Sequence, residues 1–94
     1  MVAARFSPLS LPGALHDLPL NYSQIISVYD GEGNVSTRYH VDKFDDFIDL
    51  EKLNHEDVKM RLFAQSLSGE AKKWYKDLPA RSIPSFAGFQ TMFL

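Results

Sequence analysis

The chain contains no cysteine, and that absence removes several chemistries at once. No disulfide can reinforce the fold, no thiolate zinc site or Cys-His knuckle can be built, and a cysteine nucleophile is excluded. Positive charge is not in excess either. Ten Lys and Arg stand against twelve Asp and Glu, a formal net charge of −2, whereas a dedicated nucleic-acid binder is expected to be basic with clustered Lys and Arg. No apolar run approaches the ~18 residues that a membrane-spanning helix needs. Pro8 and Pro12 interrupt the N-terminal stretch that would have to serve as the apolar region of a signal peptide. The absence of cysteine is compatible with a reducing compartment, and the expectation is a cytoplasmic protein without a membrane partner.

Catalytic patterns are missing as well. The three histidines, His16, His40 and His55, form no His-x-x-x-His pair of the kind that holds zinc on one helix face. Ser66 and Ser68 flank Leu67 without the glycine bracketing of a nucleophile elbow. Gly31 and Gly33 make only a Gly-x-Gly, too short for a dinucleotide loop. No catalytic, cofactor-binding or metal-ligating residue is assigned, and the chain reads as a non-enzyme without a cofactor.

What the sequence does have is a core. Of its 94 residues 45% are hydrophobic and 13% aromatic, enough for one small domain whose stability is marginal because the buried fraction falls with size. Met1 to Leu20 is punctuated by Pro8, Pro12, Gly13 and Pro19 and reads as an irregular leader. Tyr22 to Tyr29 suits an extended segment, closed by the turn residues Asp30 to Asn34. Ser36 can cap a first helix over Thr37 to Glu51, with Val41, Phe44, Ile48 and Phe47 as its buried stripe. Asn54 is placed to cap a second helix, with Glu56 and Asp57 in the first turn where acids favour the positive end of the helix dipole. Val58, Leu62, Phe63 and Leu67 form its apolar face. Ser68 can cap a third helix whose stripe is Ala71, Trp74, Tyr75 and Leu78 and whose end is enforced by Pro79. Ser85 can cap a fourth, faced by Phe86, Phe89 and Phe93. The expectation is an all-α fold, a small bundle of about four helices preceded by an extended, Pro-containing N-terminal segment. Trp74 is assigned to its core, with Val41, Phe44, Ile48, Leu62, Phe63, Leu67, Ala71, Leu78, Phe86 and Phe89.

The ordered run Ser66, Leu67, Gly69, Ala71, Trp74, Leu78 and Pro79 matches S-L-x-G-x-A-x-x-W-x-x-x-L-P, preceded by Leu62 and Phe63 and followed by Ser82, Ile83, Ser85, Phe86, Phe89 and Phe93. In this it resembles the gag polyprotein of Ty3/gypsy-type long-terminal-repeat retrotransposons, plant copies in particular. The resemblance is densest from Asn54 to Leu94 and extends back to about Leu20. It departs from the family at Arg38 and Tyr39, where acids are usual, and at Gly88, where Glu is usual. The resemblance implies a capsid N-terminal lobe over residues 21–94, truncated at its C-terminus relative to the family, behind the leader of residues 1–20. It implies a structural role in a transposable element, self-assembly through the full-length gag into virus-like particles, with weak or indirect RNA association.

Charge is unevenly spread. Asp42 to Lys52 holds five acids and two bases, whereas Lys59 to Arg81 holds six bases beside Glu70 and Asp77. Helix faces of this kind are usually solvated, but opposite charge on two faces also suits contact between copies. Lys72, Lys73 and Lys76 are the candidate interaction surface, together with Tyr22 and Ile25 on the extended segment. The alternative to assembly is a host co-opted module that captures a peptide or protein by main-chain pairing beside Tyr22 to Tyr29, with Phe44 or Phe86 lining side-chain pockets.

Overall fold

The computed structural model describes residues 8–11, 15–18, 28–31 and 36–94. Within them lie four helices, α1 (Thr37–Glu51), α2 (Glu56–Gln65), α3 (Gly69–Lys76) and α4 (Phe86–Phe93), together with two isolated β-bridges.

Local chemistry sets the helix ends. Ser36 is extended and its Oγ accepts from the Tyr39 N–H at 3.1 Å, satisfying one of the donors that every helix start leaves open. Lys52 closes α1 in the left-handed region at φ 54°, so that its own N–H and that of Leu53 return to the carbonyls of Asp49 and Ile48. Ser85 caps α4, accepting from the Gly88 N–H at 3.0 Å.

The second and third helix starts differ from expectation. His55, not Asn54, is the N-cap of α2, extended at φ −99°, and makes no side-chain capping bond. Ser68 holds the cap position of α3, yet its hydroxyl makes no capping bond either. The carbonyl of Asp30 accepts the Ala71 N–H at 3.1 Å and does that work from a distant part of the chain. Gly69, at φ 51°, takes the left-handed geometry that lets α2 turn into α3 within a few residues.

Val41, Phe44, Ile48, Leu62, Phe63, Leu67, Ala71, Phe86 and Phe89 are all buried. Phe63 has no exposed surface and is ringed by Phe44 at 5.0 Å, Phe89 at 4.9 Å, Phe93 at 5.3 Å, His40 at 5.4 Å and Phe86 at 5.9 Å between ring centroids. Most of these pairs are edge-to-face, the arrangement that the ring quadrupole favours. α2 packs on α4.

Trp74 and Leu78 require a correction. Both pack against the core but stay half-exposed, and the aromatic at the centre of α3 is Tyr75, fully buried and stacked on Phe89 at 5.7 Å. Adjacent aromatics on a two-turn helix lie within one apolar stripe, and here Tyr75 is the one buried against Phe89 of α4, whereas Trp74 meets Phe93 edge-on.

The described part of the leader is attached to the helices. Ser10 N–H donates to the Ile83 carbonyl at 2.8 Å and Ile83 N–H to the Pro8 carbonyl at 2.9 Å, forming the parallel bridge that buries Leu9 and Ile83.

Candidate functional site

Tyr29, the last residue of the expected extended segment, bridges to Leu67 across the α2–α3 corner. Its N–H donates to the Ser66 carbonyl at 2.8 Å and its carbonyl accepts from the Ser68 N–H at 2.9 Å. Gly31 continues the strap at φ 82°, and a Cβ there would lie 3.1 Å from the Ala71 backbone nitrogen, so only glycine lets the strap lie this close to α3. Tyr22 and Ile25 lie outside the described residues.

Beneath the strap sits His40. It is buried, its ring stacks on Tyr29 at 5.1 Å, and Phe63 and Phe93 close the other sides. Ser66 Oγ donates to the Phe63 carbonyl at 2.6 Å, which leaves its lone pairs to accept from His40 Nε2 at 2.9 Å. The hydrogen-bond pattern therefore puts the imidazole proton on Nε2. Burial lowers the His40 pKa from 6.5 to about 4, keeping the ring neutral.

A second polar centre ties the leader to α2. Asp57 is buried and accepts from the His16 N–H and from His16 Nδ1, each at 2.8 Å, and from the Arg61 guanidinium at 2.9 Å. The same guanidinium donates to the His16 carbonyl. Burial alone would raise the Asp57 pKa, but the bonds from His16 and Arg61 outweigh it and hold the carboxyl below the usual range. A carboxylate on Nδ1 is also how a general base is oriented. Here, however, His55 lies flat on the His16 ring at 3.5 Å, and among the described residues no group of three or more His, Cys, Asp or Glu is placed to hold a metal. This arrangement fastens chain segments together. Nearby, a Glu56 carboxylate oxygen accepts the Phe86 N–H, linking the starts of α2 and α4.

Two hollows flank α3. One, of about 240 Å³, is lined by Tyr29, Gly31, Thr37, Glu70, Ala71, Trp74 and Phe93. Phe44 and Phe86, expected to line pockets beside the extended segment, are instead buried in the core and take no part in it. Trp74 meets Phe93 edge-on at 5.7 Å there. The other hollow, of about 500 Å³, is lined by Ser68, Gly69, Lys72, Lys73, Lys76 and Asp77, and so brings the three candidate lysines together. Lys73 and Lys76 are exposed and Lys72 is half-buried.

The sequence reading left His16, His40, Asp57 and Arg61 without partners. Their partners lie 26 to 45 residues away for the His40–Ser66, His16–Asp57 and His16–Arg61 contacts, beyond the reach of any local pattern. The one local signal was the i, i+4 spacing of Asp57 and Arg61.

No helix among the described residues is long and apolar enough to cross a membrane. No family model, curated protein or solved structure matches the chain.

Proposed function

We propose that this chain is a structural, non-catalytic self-association domain of the retrotransposon gag kind, a capsid N-terminal-lobe-like unit that multiplies weak contacts between copies into a particle around element RNA in the cytoplasm. The observation that carries this reading is the concentration of the gag-like residues at one corner. Ser66 and Leu67 are buried, Gly69 makes the left-handed turn, Ala71 meets the Asp30–Gly31 strap, and the charged side chains of α3 are left facing outward. A motif whose buried residues build a corner and whose charged neighbours face outward suits a scaffold whose output is its surface. RNA association in this reading is weak, because the lysines of α3 are offset by the acids of α1.

Sedimentation velocity across a concentration series tests it. The expected result is weak, concentration-dependent association that declines with salt, since exposed charges are screened beyond ~10 Å at 0.1 M ionic strength. A chain that stays monomeric at every concentration and salt would overturn the reading. The half-exposed Trp74 beside its hollow favours a second one, the peptide-binding module. Quenching of Trp74 fluorescence by an apolar peptide, in a chain that does not self-associate, would select it.

A further inference from the structure

The acids of α1 are arranged as a stripe. Asp42, Asp45, Asp46 and Asp49 recur at i, i+3, i+4 and i+7, all exposed, on the side of the helix opposite Val41, Phe44 and Ile48. The stripe runs about 10 Å along the axis at ~1.5 Å per residue. Arg38 stands at its N-terminal end and Lys43 lies to one side, its Nζ 5.6 Å from the centre of the Tyr39 ring. Asp45 accepts from Gln90 of α4 at 2.8 Å while remaining exposed. Leu50, 79% exposed, and Tyr39, 53% exposed, are outward apolar groups of the same helix.

The lysines of α3 are arranged as a hollow. Lys72, Lys73 and Lys76 line a shallow hollow together with Ser68 and Gly69. Asp77 belongs to the lining of this hollow, and Glu70 lines the other one. Neither Lys73 and Lys76 nor Asp42, Asp46 and Asp49 makes an ion pair with another described residue. One helix thus presents an exposed acidic ridge and another a basic hollow, or seat, and among the described residues no ion pair joins Asp42, Asp46 or Asp49 to Lys73 or Lys76.

We propose that the acidic stripe of α1 in one copy docks in the basic hollow on α3 of a second copy. This rests on the self-association reading and names its contact. Because ridge and seat are different surfaces, the contact is heterologous: a docked pair keeps one free ridge on one copy and one free seat on the other, so the chain of contacts extends or closes as a ring. Exposed ion pairs are individually weak, and it is their repetition along a stripe, with Leu50 and Tyr39 as apolar contacts, that makes the docking directional. Charge complementarity of this type contributes most to encounter rate and register.

Three variants test the proposal by sedimentation velocity at low salt, with circular dichroism as the check on folding. Asp42→Lys, Asp46→Lys and Asp49→Lys together reverse the ridge, and Lys72→Glu, Lys73→Glu and Lys76→Glu together reverse the seat. Lys72 is half-buried and the other five positions are exposed, so the fold is expected to persist. Each half-reversed chain should associate at least about tenfold more weakly than the parent, since like charges then face each other. The chain carrying all six substitutions has the parent's net charge and a reversed but complementary pair of faces, and it should associate like the parent. Mixed with fluorescently labelled parent, it should form no mixed species. Half-reversed chains that associate as the parent does would place the contact elsewhere and leave the self-association reading standing. A parent that never associates would remove both. Free mixing of the parent with the sixfold variant would show that net charge, rather than the two faces, governs association, and would overturn the docking.

Discussion

His40 is a titratable ring held among Tyr29, Phe63 and Phe93 with one hydrogen-bond partner, Ser66. A proton added to it in the folded state would place a charge where burial has removed the water. The folded-state pKa of about 4 lies below the ordinary 6.5, so as the pH falls the unfolded chain takes up the proton first. Stability that depends on neutral His40 is therefore fully present above about pH 6.5 and is lost as the pH falls towards about 4. The expected loss between about pH 7 and about pH 5 is ~1 to 2 kcal/mol. Urea unfolding at the two pH values measures it, and His40→Gln, which keeps a donor for Ser66 Oγ, should flatten the difference. A parent whose unfolding midpoint is unchanged over that range would mean that the ring is hydrated. Asp57 acts in a lower window: with its carboxyl held below the usual range, its contribution is present above the ordinary value near 3.8 and disappears as the pH falls beneath it.

At the scale of elements, periodicity and capping chemistry carried far where the determinants are local. α1 spans the residues that the Ser36 cap and the Val41, Phe44, Ile48 spacing predict, and Ser85 starts α4 through a bond to an amide three residues on. Where a helix end depends on a remote group, the sequence was silent. The donor at the start of α3 is satisfied by Asp30, and the start of α2 sits beside a His16 ring stacked on His55. The assignment of Trp74 to the core has the same origin: Trp74 and Tyr75 lie in one helical stripe, and only their packing on different rings of α4, Phe93 and Phe89, decides that Tyr75 is the fully buried one. The Asp57 junction allows a direct test of such remote support. Asp57→Asn removes the charge that balances Arg61, whose side chain is itself nearly buried. Breaking one partner of a buried pair typically costs ~3 to 5 kcal/mol, so a large fall in stability is expected, with the leader released first. Amide exchange should show lost protection at the His16 N–H and at the start of α2. If Asp57→Asn and the Asp57→Asn, Arg61→Leu double variant are equally destabilised, the unbalanced guanidinium is not the cause.

For the whole molecule, the leader is the element whose importance is least visible in the sequence and most apparent in the contacts. Its Pro-rich composition reads as irregular, yet Leu9 is buried against a fully buried Ile83 through two main-chain hydrogen bonds, and His16 joins Asp57 and Arg61. Non-local pairing of this sort leaves no periodic signature, because an extended strap needs only an occasional apolar side chain facing the body. Burying one leucine contributes roughly 1.5 to 3 kcal/mol, and each hydrogen bond about 1 kcal/mol net. Against a total of ~5 to 15 kcal/mol for a folded domain, and less in one this small, removal of residues 1–20 should cost a large fraction of stability. The prediction is that the shortened chain unfolds at a markedly lower urea concentration than the full chain, with a smaller slope because less surface is exposed on unfolding. Leu9→Ala in the full chain should reproduce ~2 to 3 kcal/mol of that loss, as truncation of a buried leucine does. A shortened chain with an unchanged midpoint and slope would show that the helices hold their fold without the leader, and that its burial follows from the packing of the body without contributing to it.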